Sequence, residues 1–200
     1  MINMLRCAAL SAVLSMSSAV VAQAADPAAQ LQQFNASLNY QTGDVPVAEA
    51  HATLHLDSGF RYLAPADTRR VLEELWGNPP DDSVLGMLVP NGLEVTDDNS
   101  WAVVLTYSDD GYVSDEEAAK IDYADLLKTM QEETAAANGE REKAGYGRVD
   151  LVGWASPPRY DADQKKLHWA KELAFNGAAQ HTVNYDIRAL GRGGYLSLNA

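Results

Sequence analysis

The stretch from residue 145 to residue 199 constrains the fold most, because apolar and polar residues alternate through four consecutive segments. These segments are "GRVDLVGWASP", "KLHWAKELAF", "HTVNYDIRAL" and "YLSLN", and short turn sequences such as "PRYDADQK" and "GRGG" join them. Alternation is typical of strands with one buried face, and short connections favour antiparallel neighbours. The sequence therefore predicts a four-strand antiparallel meander in this part of the chain.

Within the meander, the alternation also predicts which side chains face the protein interior. In the second segment the expected inward residues are apolar except for Lys171: Leu167, Trp169, Leu173 and Phe175. In the third segment they are Val183, Tyr185, Ile187 and Ala189.

The part of the chain before the meander mixes strand and helix patterns. Residues 47–57 alternate and predict one strand with a solvated face, while 84–90 and 100–108 predict two more strands, the second central in a sheet. The segment "PADTRRVLEELWGNPP" predicts an amphipathic helix that begins at Pro65 and stops at Gly77. Together with the meander, these elements predict an α+β fold: a largely antiparallel sheet with two main helices packed on it.

Acidic residues crowd the segment "YSDDGYVSDEEAAKIDY", residues 107–123, which precedes the second main helix. Ser114 and Glu117 have the spacing of a capping box, and Asp122 with Asp125 marks the start of a helix expected to bury Leu126, Leu127 and Met130 and to end at 138–139. "DDG" at 109–111 is typical of a turn. Of the acidic residues in this segment, only Asp109 and Asp110 then remain candidates for acid/base chemistry.

The amino-terminal residues predict export from the cytoplasm. Residues 1–24 combine Arg6, an apolar stretch and a terminal "AQA", which is the pattern of a cleaved signal peptide. The one cysteine, Cys7, lies inside that segment, so the mature chain would have no thiol for catalysis, disulfides or zinc. We expect a periplasmic protein with a flexible lead-in over 25–43 and a single α+β domain over 44–200.

Charge and motif content exclude several functions. The formal net charge of −13 disfavours nucleic acid and anionic lipid surfaces as partners. His51 and His55 have the spacing of a metal pair but no third ligand nearby, so we predict no metal site. The chain has no nucleophile, zinc-hydrolase or phosphate-loop motif, and we therefore predict no cofactor and no catalytic residue.

Polar and aromatic residues of the meander form the candidate ligand-binding site. Aromatic rings and arginine forks suit a sugar or a peptide carboxylate, and the residues of these types are Trp154, Tyr160, Asp161, Trp169, Asp186, Arg188 and Arg192. The structural alternative is a cross-strand ion pair between Asp186 and Arg188 beside tryptophans of the core.

A series of phrases in fixed order resembles a known family. They are "WGNPP", "LGMLVP", "DDGYVSDEEA", "LVGWASPPRYD", "KLHWAKEL" and "NYDIRALGR". Over about residues 38–199 the chain resembles a bacterial family of predicted membrane-anchored envelope proteins, domain of unknown function 2167. The resemblance implies an exported domain with a membrane tether and no established activity. Family members usually continue into apolar spanning segments, so this chain, which stops at "YLSLNA", is either a truncated form or a soluble variant.

Three functions follow from the sequence as hypotheses. The leading one is a noncatalytic, membrane-associated module of the envelope that contacts another envelope protein. The alternative is a periplasmic domain that binds a glycan or a peptide. An acid/base hydrolase ranks third and requires two carboxylates that face each other across a cleft.

Overall fold

The computed structural model describes residues 26–114 and 121–200, which fold around a large antiparallel sheet. The helices are α1 (Pro27–Ala36), α2 (Pro65–Arg69, continued as a π-helical turn over Arg70–Leu75) and α3 (Tyr123–Lys143). The strands are β1 (Tyr40–Gln41), β2 (Asp44–Val47), β3 (Ala52–His55), β4 (Phe60–Leu63), β5 (Val84–Pro90), β6 (Val103–Ser108), β7 (Val149–Asp161), β8 (Lys166–Phe175), β9 (Thr182–Leu190) and β10 (Tyr195–Asn199).

Eight of these strands form one sheet in the order β1-β4-β5-β6-β10-β9-β8-β7, within the part of the chain just defined. Strands β7 to β10 are the expected meander, and β10 joins it to β6, which lies centrally as predicted. Strands β2 and β3 pair only with each other in the described structure. The α+β class with a largely antiparallel sheet is thus confirmed.

The main apolar cluster lies on one side of the sheet, which we call the helix face. Leu63 of β4 and Met87 of β5 are opposite each other there, and Val71 of α2 packs against them with no exposed surface. The helix begins at Pro65 and ends at Leu75, two residues before Gly77, whose φ of 67° is accessible to glycine. Burial of these apolar side chains holds α2 against the β4–β5 half of the sheet.

One transverse row of paired residues crosses the helix face and changes from apolar to polar side chains midway. Its members are Tyr40, Leu63, Met87, Val104, Asn199, Asp186 and Trp169, each opposite the next in the strand register. Directly opposed residues of antiparallel strands point to the same side. The row is therefore apolar beneath α2 and polar on β10 and β9.

The outer edge of β7 is covered by side chains of α3. Gln131 Nε2 donates to the backbone oxygens of Leu151 and Val152, and Asn138 bonds to both backbone groups of Val149. Further along, Pro157 and Pro158 lie in the same strand and have no N–H to offer a new partner. Unpaired sheet edges promote aggregation, and both the α3 side chains and the two prolines protect the edge of β7 from pairing with another strand.

The opposite side of the sheet, which we call the open face, is covered only in part. Val45 and Val47 of the β2–β3 hairpin are buried, and Ala50 and Ala52 lie beside Tyr107 and Leu196 on this side. Further along the open face, apolar side chains form a shallow concavity: Phe60, Leu88, Trp101, Val103, Tyr185, Ile187 and Leu198. No helix in the described ranges is long and apolar enough to cross a membrane.

The segment 25–43, predicted as a flexible lead-in, contains a helix that the sequence analysis did not predict. Pro27–Ala36 form a helix, in which Asp26 Oδ1 accepts the N–H of Ala28 and Pro27 occupies the first turn. Phe34 packs against the core, and Asn35 Nδ2 donates to Thr96 Oγ1 at 2.5 Å. These distant contacts, absent from the local sequence pattern, order the segment.

Three further sequence predictions need correction. Residues 47–57 are not one strand, because the chain turns at His51, whose φ is 49°, and returns as β3.

Helix α3 does not end at 138–139 but continues to Lys143, and the Asn138 side chain is hydrogen-bonded to the backbone of Val149. Leu126 is exposed, whereas the Asp122 cap is confirmed: its Oδ1 accepts the N–H groups of Ala124 and Asp125. The proposed box of Ser114 and Glu117 reaches into 115–120, outside the described residues.

Candidate functional site

The polar half of the helix face brings together side chains from three neighbouring strands. We call this group the polar basin: Trp169 and Lys171 of β8, Asp186 and Arg188 of β9, and Tyr195 and Asn199 of β10. The register places Asp186 directly between Trp169 and Asn199. The basin therefore depends on β10 entering the sheet beside β9.

Asp186 is the buried charge at the centre of the basin, with 7 % of its surface exposed. Lys171 Nζ lies 2.9 Å from Asp186 Oδ2, and Asn199 Nδ2 donates to Oδ1 at 2.8 Å. The Asn199 amide is itself held by reciprocal hydrogen bonds with Asn184. A buried carboxylate requires such compensation, so Asp186 is a fixed element of the site.

Arg188 is the second charged group of the basin, and its surroundings are aromatic. Its Cζ lies 4.9 Å from the ring centroid of Trp169 and 4.9 Å from that of Tyr195. Across 26–114 and 121–200, no carboxylate is within ion-pair distance of its guanidinium. Two buried donors nearby, Arg188 Nε and Trp169 Nε1, have no hydrogen-bond partner. Buried donors are nearly always paired, so this arrangement is unusual.

The expected ion pair between Asp186 and Arg188 is not what the structure contains. Asp186 pairs with Lys171 from the neighbouring strand, and Arg188 stacks against rings instead. The two side chains lie on the same face of β9, two residues apart, but each contacts different residues of the neighbouring strands.

A pocket of about 440 Å³ opens above the basin. Its floor includes Asp186, Arg188, Ser197 and Asn199, together with Thr106 of β6. One wall comes from the end of α2 and the loop behind it, through Leu72, Asn78, Pro79 and Asp81. The volume falls within the range of small-ligand sites, and the lining mixes charge, amide and hydroxyl groups.

The other four candidate residues lie outside the polar basin. Trp154 donates its indole N–H to the Tyr123 carbonyl at 3.1 Å and thereby fastens α3 to β7. Asp161 accepts the N–H groups of Asp163 and Gln164 in the β7–β8 turn. Tyr160 is opposite Leu167, and Leu167 is opposite Arg188, which leaves Tyr160 two strands away from Arg188. Arg192 lies in the β9–β10 turn beside Lys165. The structure thus unites three of the seven: Trp169, Asp186 and Arg188.

The sequence analysis did not identify the remaining basin residues, and it assigned the wrong face of β9 to the protein interior. Lys171 interrupts an apolar alternation, which was the available signal for a buried partner of Asp186. In β9, Val183 and Tyr185 are 57 % and 39 % exposed on the open face, while Asp186 on the other side is buried. Phe175 of β8 is also exposed rather than inward.

The acidic and histidine candidates occupy structural positions. Asp109 and Asp110 are exposed after β6, where Ser108 Oγ donates to Asp110. His55 Nδ1 lies 2.7 Å from Asp44 Oδ1 across the β2–β3 hairpin. The described ranges hold no group of three or more His, Cys, Asp and Glu side chains that could bind a metal ion.

Fold and pocket define the chain as an α+β domain with an eight-stranded antiparallel sheet and a polar basin within the described residues. The model of the family described as "Protein of unknown function (DUF2167)" matches residues 39–200, and the chain belongs to this family. No curated protein matches the chain, and no solved structure matches it.

Proposed function

We propose that this protein is a noncatalytic domain of the bacterial envelope that works by contact with another protein through the open face. The observation that carries the proposal is the apolar concavity on that face. A soluble domain gains free energy by covering such a surface, and large exposed apolar patches commonly mark interaction sites.

Aromatic residues at the rim favour a protein as the occupant. Trp101 is 46 % exposed and meets Phe60 edge to face, with ring centroids 6.0 Å apart. Tyr185, on the opposite side of the concavity, is 39 % exposed. Tryptophan and tyrosine are enriched in the energetic centres of protein interfaces, where they surround an apolar side chain of the partner.

The concavity of about 350 Å³ has a lining that is apolar throughout, so it selects shape and hydrophobicity rather than charge. An apolar side chain of a partner, such as leucine or phenylalanine, fits this chemistry. The expected signal peptide supports a periplasmic location, and the partner we propose is an envelope protein, with a membrane tether in longer forms of the chain.

Site-specific crosslinking in cells tests the proposal. A photo-crosslinking phenylalanine analogue at Tyr185 is expected to capture one defined envelope protein. The same analogue at Tyr112, a 73 % exposed tyrosine outside the concavity, serves as the matched control. Capture at Tyr185 should disappear when Trp101→Ala is added. Identical products from both positions, or capture that survives Trp101→Ala, would contradict the proposal.

A further inference from the structure

We infer that the polar basin is a binding site for a small ligand that carries one carboxylate group, either a short peptide with a free carboxyl terminus or an acidic sugar. The site lies on the helix face, opposite the surface proposed for protein contact, and is independent of that proposal.

Arg188 supplies the recognition group. It lines the pocket and has no carboxylate partner in the described chain, although the whole protein carries 28 acidic residues against 15 basic ones. Trp169 and Tyr195 restrict the guanidinium from two sides. A guanidinium held in this way presents a planar fork of donors that matches the two oxygens of a carboxylate.

The charges around Arg188 limit the ligand to a single negative charge. Lys171 is already paired with Asp186, so Arg188 is the one cation of the pocket floor left for a ligand in the described structure. Asp186 and Asp81 contribute two carboxylates to the same lining. Because Lys171 compensates Asp186, Asp81 is the carboxylate that opposes an anion here: a dianionic phosphate would carry one negative charge more than Arg188 balances, whereas a carboxylate carries one.

Neutral groups in the pocket suit the remainder of such a ligand. Thr106 and Ser197 offer hydroxyls, and Asn78 offers an amide that can donate and accept. Leu72, Val84 and Val104 add apolar surface to the same lining. This mixture fits the amide groups of a peptide or the hydroxyls of a sugar ring next to the carboxylate.

The inference explains the unpaired buried donors of the site. Arg188 Nε, on a residue that lines the pocket, and Trp169 Nε1, on the ring that packs against Arg188, are buried without partners, which costs free energy in the unliganded protein. An apolar residue at position 188 would pack in the same place without burying an unpaired donor, so packing alone does not explain an arginine there. A ligand oxygen that draws the guanidinium toward the pocket relieves part of this cost.

Calorimetric titration of the full chain tests the site with defined probes. The probes are acetyl-Ala-Ala with a free carboxylate, the same dipeptide as its amide, glucuronic acid, glucose and inorganic phosphate. We expect binding of acetyl-Ala-Ala or glucuronic acid at least tenfold tighter than that of the matching neutral compound or phosphate. The carboxylate probe that binds identifies the peptide or the sugar as the source of the carboxylate.

Two variants separate recognition from structure. Arg188→Lys keeps the charge but loses the fork, and it should weaken binding at least tenfold; Arg192→Gln removes an arginine outside the basin and should leave affinity unchanged. Ser197→Leu fills the pocket from its floor and should abolish binding even if Arg188→Lys does not fold. Equal affinity for the amide and the carboxylate, wild-type binding by Arg188→Lys or Ser197→Leu, or no heat with any probe at millimolar concentration would overturn the inference.

Discussion

Asn138 exchanges two hydrogen bonds with the backbone of Val149, donating from Nδ2 to the carbonyl at 2.8 Å and accepting the N–H at Oδ1 at 2.9 Å. A side chain of α3 thus takes the place that a ninth strand would occupy beside β7. With 2 % of its surface exposed, Asn138 is the buried polar residue of that helix.

Replacing Asn138 should open this edge. We expect Asn138→Leu to lower the free energy of unfolding by about 2–4 kcal/mol, because two hydrogen bonds are lost and both backbone groups of Val149 stay unpaired. Urea denaturation measures the loss. Thr129→Ala, on an exposed part of the same helix, should change stability by less than about 0.5 kcal/mol. A small effect of Asn138→Leu would show that the helix is held elsewhere.

Gly86 is required where β5 passes beneath Tyr62. A Cβ atom at Gly86 would lie 2.3 Å from the Tyr62 ring, and the Tyr62 hydroxyl donates to the Leu85 carbonyl. We therefore expect Gly86→Ala to destabilise the domain by about 2–4 kcal/mol through this clash and its φ of 149°. Gly153→Ala, which meets no atom within 4 Å, is the matched control in thermal unfolding. Similar midpoints for the two variants would refute the close contact.

Lys171 and Asp186 should behave as a coupled pair. Lys171→Met leaves Asp186 buried without its cation, and we expect a loss of about 3 kcal/mol. Adding Asp186→Asn should recover part of the loss, because a neutral amide has no charge to compensate. A double-mutant cycle in urea measures the coupling energy. Additive effects of the two substitutions would mean that the pair contributes nothing specific.

Asp67 should make the stability depend on pH in the acid range. Partial burial raises the pKa of this carboxyl, but hydrogen bonds from the Asn39 backbone and side chain and from Arg70 outweigh that effect and hold the pKa below its usual value. The stabilisation is therefore present above the unfolded pKa of 3.8 and is lost as the pH falls through the folded pKa.

The variant Asp67→Asn should reveal this dependence. We expect it to be less stable than the wild type by about 1–3 kcal/mol at about pH 7, with the difference shrinking at about pH 3. Urea midpoints at the two pH values provide the measurement. A stability difference that stays constant with pH would show that it does not come from the charge of Asp67.

The meander was predictable because alternation and turn composition are local signals. Helix α1 was not, since its contacts, such as the hydrogen bond from Asn35 to Thr96 sixty-one residues away, are not visible in the local sequence. The length of α3 was underestimated for the same reason: Asn138 and Gly139 are a stop signal in isolation, and the local sequence does not show the contact of Asn138 with Val149.

The candidate site was predictable in its residue types but not in its partners. Asp186, Arg188 and Trp169 stand out in the sequence, yet Lys171 meets Asp186 only through the register of β8 and β9. The orientation of β9 was missed because alternation shows that two faces differ, and packing of other elements decides which face is buried. Here α2 and its following loop rise above the polar side.

The position of β10 has a consequence for how the domain assembles. It follows β9 along the chain but pairs with β6 as well, so contacts between residues about ninety positions apart complete the sheet. Until residues 195–199 are in place, β6 and β9 each present an unpaired edge, and neither the polar basin nor the open face exists as a surface. Such long-range closure favours slow folding and gives chaperones a period in which to protect the two half-sheets.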